Sequence, residues 1–447
     1  MSDVGKGPKA VASRWACGAR ELDLSRARVM GIVNVTPDSF SDGGLHDTAE
    51  SAVSWGMRLL DDGADILDVG GESTRPGFEP VPPAEEMRRV LPVVRALAGE
   101  GALVSVDTRH AAVAAAALEA GASIVNDVSG FSDPGMREVA AGCGCGCVVM
   151  HSRPGHLAGA AFAREVGESL LESAERLEDL GVVRERICID PGPGFGTTAG
   201  QDVAVQEATG LLAGLGYPLM CAVSRKRFVG AVSGANPAAG RDAASVGVAL
   251  AAVARGARVV RTHNVAMTAD ALRAAEACSG AAPRRRALIA LGSNLGDRVG
   301  ALRAACRSLG ELPLTEVTAA SGVYETEAAY RTSQPPFANA VVEVVTGLHP
   351  IALLEAGLAI ESAMGRVRTI ENGPRPIDID LLWMEGETHI GRRLTLPHPR
   401  IGERAFVLVP LGDLVGDVGS FCASIGVEVR VMDECLGRVV GRLGRLL

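Results

Sequence analysis

The sequence predicts an α/β protein in which a (β/α)8 (TIM) barrel is followed by a smaller α+β domain. Its 447 residues are enough for two or three domains at roughly 100–200 residues each. Between residues 26 and 280, a short apolar run, a polar residue and an Ala/Leu-rich helical pattern recur. Uninterrupted apolar strands that alternate with helices indicate a parallel sheet covered on both faces. Beyond residue 286 this repeat is replaced by longer strands.

Eight apolar runs in the first segment have the length of buried strands. They are residues 29–36, 64–71, 103–107, 122–128, 145–151, 187–192, 219–224 and 258–264. Helical spacing of apolar residues is found between them, as at 49–62, 84–98, 111–120, 161–180 and 243–254. Eight such units in about 250 residues are typical of a (β/α)8 barrel, and a doubly wound sheet is the alternative. We assign residues 26–280 to this domain and treat the residues before it as a leader without pattern.

The second segment begins after a linker that we place at residues 281–286, where small residues, proline and three arginines end the repeat. Beyond it the pattern predicts strands at 286–293, 314–324, 338–346 and 377–383, and helices at 298–309 and 351–364. Long strands with only two clear helices favour an antiparallel α+β domain of ferredoxin-like type over residues 287–415. The tail, residues 416–447, is weakly patterned, and its structure stays open.

The lysine content excludes one class of nucleotide-binding enzyme. Of the 44 Lys and Arg residues only three are lysine, namely Lys6, Lys9 and Lys226. None of them is followed by Ser or Thr, as the lysine of a phosphate-binding P-loop is. Any nucleotide site in this chain must therefore be built differently, and Lys226 is the one lysine that lies inside a predicted domain.

Composition favours small-molecule chemistry in the cytoplasm. A net charge of −9 and 3% aromatic residues argue against a nucleic-acid partner. No apolar run reaches the ~18 residues that span a membrane, and ten cysteines in so long a chain do not form a disulfide framework. Cys143, Cys145 and Cys147 alternate with glycines in a strand-like run, a spacing unlike that of zinc ligands.

Polar groups end every predicted barrel strand, at the edge where parallel barrels place their chemistry. They are Asn34, Glu72 to Arg75, Asp107, Asn126 with Asp127, His151, Asp190, Ser224 to Lys226, and Arg261 to Asn264. A single such residue is most simply a helix cap or part of a structural ion pair, but eight in succession indicate a site.

The polar groups at these strand ends fall into two kinds. Asp107, Asn126 and Asp190 offer the acceptors and the amide that could hold the edge of a flat heterocycle. Arginine can bind a pyrophosphate through two parallel hydrogen bonds. The residues that could do so here are Asn34, Arg75, Arg261 and His263.

Long motifs in the first domain resemble dihydropteroate synthase. They include MGIVNVTPDSFSDGG at 30–44, GGESTRPG at 70–77, DPGPGFG at 190–196, SRK at 224–226 and RTH at 261–263. The resemblance implies condensation of a 7,8-dihydropterin methyl pyrophosphate with p-aminobenzoate to give 7,8-dihydropteroate and pyrophosphate. Three positions depart from the usual pattern of that family: Thr197 replaces lysine, Asn264 replaces aspartate and Ala222 replaces glycine.

The resemblance also implies roles for individual residues. Asp107, Asn126, Asp190 and Lys226 would hold the pterin. The pyrophosphate would lie against Asn34, Arg261 and His263, with Mg2+ at Asn34. The residues near p-aminobenzoate would be Thr74, Arg75 and Pro76 in a closing loop, together with Phe195 and Ser224. The family also suggests a homodimer through the barrel.

Two carboxylates in the second domain predict a magnesium site. Asp378 and Asp380 are two residues apart on a predicted strand and therefore share a face. Side-by-side carboxylates repel unless a cation lies between them, which favours Mg2+ over solvated edge charges. Arg366, Arg368 and Arg375 lie just before the pair, so a magnesium nucleotide site without a P-loop is indicated.

Motifs around this pair resemble 6-hydroxymethyl-7,8-dihydropterin pyrophosphokinase. They are GSNLGD at 292–297, QPPFAN at 334–339, GPRPIDID at 373–380, LPHPR at 396–400 and RAF at 404–406. The resemblance implies transfer of pyrophosphate from ATP, which is a substrate, to the pterin hydroxymethyl group with release of AMP. Departures are a short loop at 369–372 and Glu327, which replaces a usual proline.

This second resemblance assigns its own site residues. Phe337 and Phe406 would sandwich the pterin, while Thr326 and Asn339 would hydrogen-bond its edge. Asp378 and Asp380 would bind Mg2+. The phosphates would be held by Arg366, Arg368, Arg375, His398 and Arg404.

The full hypothesis is a bifunctional folate-pathway transferase whose second domain makes the substrate of the first. Across both domains we expect the catalytic groups to be Asp107, Asp190, Lys226, Arg261, His263, Arg366 and Arg375. Two alternatives stay open: only one domain is active and the other is a degenerate pterin-binding or scaffold module, or the barrel belongs to a pterin-dependent methyltransferase.

Overall fold

The computed structural model describes residues 10–35, 48–72, 80–280, 282–331, 333–367, 372–430 and 435–447. The chain divides into two compact units, Met1–Ala275 and Glu276–Leu447. We call them the first and the second unit.

The first unit contains a parallel sheet whose eight described strands close into a barrel. The strand order is β8-β7-β6-β5-β4-β3-β10-β9, and a parallel bridge between Ile189 and Leu219 joins the two ends. The strands are β3 (Arg28–Asn34), β4 (Ile66–Gly70), β5 (Val104–Asp107), β6 (Ile124–Asp127), β7 (Gly146–Met150), β8 (Ile187–Asp190), β9 (Met220–Cys221) and β10 (Val259–Thr262). Each coincides with a predicted apolar run, so the predicted (β/α)8 barrel is confirmed.

Helices cover the outside of this barrel and bury its apolar outer face. They are α1 (Thr48–Asp61), α2 (Pro83–Gly99), α3 (Ala111–Glu119), α4 (Pro134–Cys143), α5 (Gly159–Glu178), α6 (Ala199–Glu207), α7 (Thr209–Ala213), α8 (Arg227–Ser233), α9 (Asp242–Ala254) and α10 (Val265–Ser279). Short 3-10 helices lie at Arg184–Arg186 and Ala238–Arg241.

Helix α4 corrects the prediction for the three neighbouring cysteines. Asp133 caps its start by accepting a hydrogen bond from the Gly135 backbone, and Gly144 ends it in a left-handed conformation. Cys143 is therefore an exposed helical residue, whereas Cys145 and Cys147 are buried at β7. The run is not one strand, because a helix ends inside it.

An N-terminal hairpin closes the bottom of the barrel. Strands β1 (Arg14–Cys17) and β2 (Arg20–Asp23) pair antiparallel. Trp15 and Cys17 are fully buried in a cluster with residues from the barrel strands, and the Trp15 indole donates a hydrogen bond to the Arg186 carbonyl. These residues were predicted to be a leader without pattern. That prediction was wrong, because the hairpin strands mix polar and apolar residues and lack the continuous apolar run of a buried barrel strand.

The strands of the second unit are β11 (Arg285–Ser293), β12 (Thr315–Ala320), β13 (Gly322–Thr326), β14 (Phe337–Thr346), β15 (Asp378–Met384), β16 (His389–Ile390), β17 (Thr395–Leu396) and β18 (Val439–Arg445). The main sheet is antiparallel and has the order β15-β11-β14-β13-β18, with β12 also paired to β14. Strands β16 and β17 form a separate two-stranded sheet. The α-helices are α11 (Arg298–Gly310), α12 (Pro350–Ala363), α13 (Ala405–Val415) and α14 (Val418–Ser424), and a 3-10 helix lies at Ile401–Glu403. This mixed architecture agrees with the predicted ferredoxin-like α+β domain.

Several features of this unit differ from the prediction. The predicted strand 314–324 is two strands, because the Ser321 hydroxyl accepts the hydrogen bond of the Val341 backbone and interrupts the ladder. The tail forms α14 and β18, and Leu446 reaches the apolar core of the unit. The helices beyond the predicted two are short or follow a proline-containing stretch, so their periodicity is weak.

Within the described ranges, no single helix is both long and apolar enough to cross a membrane. By length and composition alone, α13 and α14 would pass such a criterion jointly, but they are bent by 96°.

Two candidate active sites

The first candidate site lies at the carboxyl rim of the barrel. Asn34, Asp107 and Asp190 are the last residues of β3, β5 and β8, and Asn126 lies one residue before the end of β6. His263 follows β10, which is a neighbour of β3 in the sheet. The closed ring of strands therefore brings these predicted residues to one rim, as the sequence hypothesis requires.

Asp68 connects three groups in the middle of this rim. It lies within β4, and its Oδ2 accepts hydrogen bonds from Arg261 Nε at 2.6 Å and from Asn126 Nδ2 at 3.0 Å. The second nitrogen of the Arg261 fork donates to Asp107 at 2.7 Å. Asp68 is fully buried, and its other carboxylate oxygen has no hydrogen-bond partner among the described residues. This carboxylate therefore orients both a predicted pterin ligand and a predicted pyrophosphate ligand.

Burial and charge perturb several pKa values at this rim. Burial raises the pKa of Asp107, with further contributions from Asp68 and Glu86, while Arg261 opposes the shift. Burial also raises the pKa of Asp190. For Arg261, burial alone would lower the pKa, but Asp68 and Asp107 raise it, so the guanidinium stays charged. Groups with such shifts in a cleft are typical of a functional site.

The turn after β8 places an aromatic ring beside Lys226. Gly192 has φ of +63° and donates its N–H to Asp190 at 2.9 Å, and an added Cβ would lie 1.9 Å from the His151 carbonyl oxygen. This close approach requires glycine. Further along the turn, the Phe195 ring lies 4.8 Å from Lys226 Nζ. Burial lowers the pKa of Lys226 to about 8, although the charge of Asp190 opposes that shift.

The turn that carries Lys226 is held in a strained conformation. Arg225 has φ of +60°, and its guanidinium is paired with Asp242 through contacts of 2.6 and 2.8 Å. Its backbone N–H donates to the Ser245 hydroxyl at 3.0 Å. These contacts compensate for a left-handed backbone conformation that is unfavourable for residues other than glycine, and they direct the next residue toward the site.

Ser224 and His263 are in direct contact. The Ser224 hydroxyl accepts a hydrogen bond from the His263 backbone at 3.1 Å and lies 3.0 Å from His263 Nδ1. Because the hydroxyl already accepts a bond, it is suited to donate its proton to Nδ1. The imidazole would then carry its proton on Nε2, where it can donate to a bound anion.

Some predicted residues lie outside the described part of the chain. They are Thr74, Arg75 and Pro76 in the first unit, and Arg368 with most of the loop 369–372 in the second.

The second candidate site is a pocket at the end of the antiparallel sheet. Its lining includes all four predicted pterin residues, Thr326, Phe337, Asn339 and Phe406, together with Arg375, Asp378 and Asp380. Asn339 Nδ2 donates to the Thr326 hydroxyl at 2.7 Å, across the pairing of β13 with β14. The guanidinium of Arg375 lies 5.3 Å from the centre of the Phe337 ring. The polar edge and the aromatic wall predicted from sequence therefore share one cavity.

Arginines surround Asp378 in this pocket. Arg366 donates to both Glu361 and Asp378, and Arg375 lies 2.8 Å from the other oxygen of Asp378. Burial alone would lower the pKa of Arg366, but Asp378 and Glu361 raise it. The buried Glu361 also accepts the backbone N–H of Ile379 at 2.8 Å. This bond anchors the strand that carries both carboxylates.

Arg404 and His398 form a second polar group near the pocket. Arg404 donates to the Tyr330 hydroxyl at 3.2 Å and lies 3.5 Å from Asp380. Burial and the charges of Arg404 and Arg400 lower the pKa of His398 to about 4. Its Nδ1 accepts the backbone N–H of Arg400 at 3.1 Å. The neutral imidazole therefore presents Nε2–H, a donor suited to a phosphate oxygen.

The chemistry of Asp378 and Asp380 fits a magnesium ion. Both lie on the same face of β15 and line the pocket. Burial, and then the neighbouring charge of Asp378, raise the pKa of Asp380 to about 6, as expected for carboxylates that repel each other. The described residues contain no group of three or more His, Cys, Asp or Glu side chains arranged to hold a metal. Because Mg2+ commonly combines one or two carboxylates with substrate phosphates and water, a complete protein cage is not required.

The contacting residues that were absent from the predicted sites include Asp68, Asp242 and Tyr330. Asp68 lies in the middle of a strand rather than at its end, and Asp242 begins a helix. The acidic residue inside an apolar strand was a usable signal for Asp68, since a buried carboxylate requires partners. Nothing local indicated Asp242 or Tyr330.

Replacing Asp68 with asparagine should weaken the first site. The change keeps the shape but removes the charge that holds Arg261 and Asn126. Loss of a charge-assisted contact of about 1.5–3 kcal/mol predicts a roughly 10- to 150-fold lower kcat/KM for dihydropteroate formation. Steady-state kinetics would measure it, with AMP formation by the second unit as the internal control. Unchanged kinetics would show that Asp68 does not organise the site.

Comparison with known proteins finds a matching family for each unit. The family described as pterin binding enzyme matches residues 30–263, and the family 7,8-dihydro-6-hydroxymethylpterin-pyrophosphokinase matches residues 288–416. Dihydropteroate synthase of Neisseria meningitidis serogroup C is 43% identical over 273 residues, which cover 59% of this chain and 96% of that protein. The Bacillus subtilis dihydropteroate synthase is 44% identical over 239 residues, which cover 53% of this chain and 83% of that protein.

Solved structures agree for the first unit. Xanthomonas albilineans dihydropteroate synthase in complex with 7,8-dihydropteroate is 42% identical, with a TM-score of 0.56, and covers 60% of this chain and 98% of its own. Burkholderia cenocepacia dihydropteroate synthase, also in complex with 7,8-dihydropteroate, is 39% identical, with a TM-score of 0.55. The match covers 61% of this chain and 98% of that chain. The chain therefore belongs to the pterin binding enzyme family as a dihydropteroate synthase, and a 7,8-dihydro-6-hydroxymethylpterin-pyrophosphokinase domain follows the barrel.

Proposed function

We propose that the chain catalyses two successive steps of folate biosynthesis. The second unit transfers pyrophosphate from ATP to 6-hydroxymethyl-7,8-dihydropterin and releases AMP. The first unit condenses the product with p-aminobenzoate to form 7,8-dihydropteroate and pyrophosphate. The observation that carries this proposal is the presence, in one chain, of a heterocycle site beside anion-binding groups in each of the two units.

In the first unit, the site supports substitution at an activated CH2 group. Asp107, Asn126, Asp190 and Lys226 hold the pterin edge. The amine nitrogen of p-aminobenzoate forms the new C–N bond as the C–O bond to pyrophosphate breaks. Arg261 and the Nε2–H of His263 stabilise the negative charge that develops on the leaving group. Holding both reactants in one cleft supplies a large part of the remaining rate increase.

In the second unit, the hydroxymethyl oxygen attacks the β-phosphorus of ATP and AMP leaves. Phe337 and Phe406 sandwich the pterin, and Thr326 with Asn339 fixes its polar edge. Phosphate charge is neutralised by Arg366, Arg375 and Arg404, while neutral His398 donates one hydrogen bond. Arg368 belongs to this set by position in the sequence. Positioning and charge stabilisation account for most catalysis in phosphoryl-type transfer.

Magnesium completes the proposal. Asp378 and Asp380 would hold it in the second unit, and Asn34 would supply an amide oxygen in the first. Bound there, the ion would neutralise phosphate charge. The support is the carboxylate pair that shares one face of β15 and the raised pKa of Asp380.

One incubation tests the whole function. The chain is mixed with 6-hydroxymethyl-7,8-dihydropterin, ATP, Mg2+ and p-aminobenzoate, and products are separated by chromatography. Dihydropteroate with AMP supports both activities. Pterin pyrophosphate alone would leave only the second unit active. If neither product forms, but dihydropteroate appears from supplied pterin pyrophosphate, only the barrel is active; no product in either assay favours a scaffold.

The first unit should lose activity at alkaline pH. The pKa of Lys226 is about 8, so its positive charge is lost as pH rises through that value. We expect kcat/KM for dihydropteroate formation to fall tenfold per pH unit above it, because this ratio reports ionisations of the free enzyme. Measuring kcat/KM over a pH series with supplied pterin pyrophosphate would show this alkaline fall. A Lys226→Arg variant keeps its charge throughout this range, so if its kcat/KM falls in the same way, the fall is due to another group.

A homodimer through the barrel is part of the proposal. Helices α6, α8 and α9 line a surface groove with mostly apolar residues, including Val203, Val232 and Val248, and with Glu207 and Arg255 among its polar ones. Val232 is 60% exposed. Light scattering on the purified chain should give twice the mass of the monomer; a monomer at all concentrations would contradict this part.

The domain limits and location complete the proposal. We place the synthase barrel at residues 26–280, preceded by the hairpin at residues 14–23 that closes its base, the linker at 281–286, the pyrophosphokinase at 287–415 and the tail at 416–447. Ten free cysteines and the use of ATP favour the cytoplasm.

A further inference from the structure

A segment of the tail lies directly against the pyrophosphokinase pocket, although it is beyond the residues that match that family. We call residues 435–439 the tail segment. The Leu436 backbone N–H donates to the Glu403 carbonyl at 2.8 Å, and its carbonyl accepts from Ala405 at 2.9 Å. On the other side, Glu327 donates its backbone N–H to the Arg438 carbonyl at 2.9 Å. The tail segment thus joins the start of α13 to the end of β13.

These two ends carry residues of the pocket. Thr326 is the last residue of β13, and Phe406 is the second residue of α13. Both side chains line the pocket, on opposite sides of the tail segment. The guanidinium of Arg404, one residue before α13, lies 5.5 Å from the centre of the Phe406 ring. Any shift of the tail segment therefore acts on residues that contact the pterin or the phosphates.

Gly437 makes the closest approach. Its φ is +74°, and a Cβ placed on it would lie 2.5 Å from Phe406 Cδ1 and 3.4 Å from the Glu327 carbonyl oxygen. The Phe406 ring therefore packs on the bare backbone of Gly437. Any side chain there has to displace the ring, because carbon atoms do not approach to that distance.

The side-chain contact of the tail segment is weaker. Arg438 Nη2 lies 2.6 Å from Glu327 Oε1, but the side chains of Arg438 and Glu327 are 78% and 52% exposed. Exposed ion pairs of this kind contribute little. The position of Phe406 is thus determined mainly by the backbone hydrogen bonds and by the absence of a side chain at residue 437.

We propose that Gly437 is a positioning residue of the pyrophosphokinase, which sets the place of the Phe406 ring and hence the width of the pterin slot. The inference rests on the proposed role of Phe406 in pterin binding. Gly437 lies outside the residues that match the family, and it contributes to substrate specificity at that site. A flat bicyclic substrate fits between Phe337 and Phe406 only when residue 437 has no side chain.

The test is a Gly437→Ala variant of the full chain. The displaced ring should raise KM for 6-hydroxymethyl-7,8-dihydropterin about tenfold, while kcat and KM for ATP change less than twofold. The matched control is Gly426→Ala. Gly426 also lies in the tail with φ of +72°, but an added Cβ would meet no atom within 4 Å. This control carries the same backbone strain without the collision, so its pterin KM should stay within twofold of the wild type.

Phe406→Leu separates the two levels of the inference. If it leaves the pterin KM unchanged, Phe406 is not a pterin residue and the proposed site is wrong. If it raises KM but Gly437→Ala behaves like Gly426→Ala, only the role of Gly437 is overturned. In the double variant the smaller leucine relieves the collision, so Gly437→Ala should add less than twofold to the KM of Phe406→Leu. If Gly437→Ala alone does not fold, the pterin KM of the double variant is still compared with that of Phe406→Leu. A double-variant KM more than twofold above that of Phe406→Leu contradicts the proposal.

Discussion

An Asp378→Ala variant should lose AMP formation by about 10³-fold, the scale of removing a principal electrostatic group from an active site. Asp378 lies 2.8 Å from Arg375 and accepts a hydrogen bond from Arg366, so it orders two predicted phosphate ligands. It is also one of the two carboxylates proposed to hold Mg2+. Its removal would release both arginines and would also remove one of the two proposed ligands of the ion. Chromatographic measurement of AMP from ATP and the hydroxymethyl pterin would record the loss.

The same preparation provides the control. Dihydropteroate synthesis from supplied pterin pyrophosphate should stay within twofold of the wild type, because the first unit has its own core and site. Glu316→Ala is a matched carboxylate exchange on β12; the Glu316 side chain is 68% exposed, so both activities should be unchanged. Loss of both activities in Asp378→Ala would contradict the two-site hypothesis, and retention of AMP formation would remove Asp378 from the second site.

A Lys226→Arg variant should lower kcat/KM for dihydropteroate formation roughly 100-fold, equivalent to one charge-assisted contact of about 3 kcal/mol. The charge is preserved but the shape is not. The ammonium lies 4.8 Å from the Phe195 ring, and the stem of the side chain passes close to Gly194, where an added Cβ would lie 3.5 Å from Lys226 Cδ. A planar guanidinium is larger and presents its donors in a fixed fork, so it cannot replace a compact ammonium in this space.

Steady-state kinetics with both substrates would measure this effect. Lys9→Arg is the same chemical exchange in a stretch outside the described residues and the proposed domains, and it should leave both activities unchanged. AMP formation by the Lys226→Arg variant should equal that of the wild type. Full dihydropteroate synthesis in Lys226→Arg would show that the lysine is incidental to the site.

Strands and helices could be predicted where a continuous stretch of the sequence carries a clear apolar pattern. All eight barrel strands appear within a few residues of the apolar runs, because strands buried on both faces carry continuous apolar sequence. The hairpin β1–β2 and the strand β18 were not predictable. The hairpin strands have four residues each, with mixed polar and apolar side chains. Strand β18 is mostly exposed, so its pairing with β13 leaves no apolar alternation in the sequence.

In the candidate sites, too, some residues could be predicted from the sequence and others could not. Asp107, Asn126 and Asp190 could be identified because they lie at or next to strand ends, and Lys226 because it lies in the turn after β9; parallel strands all end at one rim. In the second unit, Phe337 and Asn339 stand two apart on β14 and so share a face of that strand. Asp68 could not be assigned a partner, since Arg261 is 193 residues away along the chain.

The sequence by itself thus determined the eight barrel strands, the polar groups at their ends, most of the longer strands of the second unit and the two kinds of chemistry that the chain supports. These properties depend on residue type and on the fixed periods of helices and strands. Only the tertiary structure decided that Asp68 joins Arg261 to Asn126, that Asp242 holds the turn before Lys226, and that Gly437 lies against Phe406. Such contacts join segments that are distant in the chain, and they form when packing closes the barrel and the sheet; no local pattern encodes them.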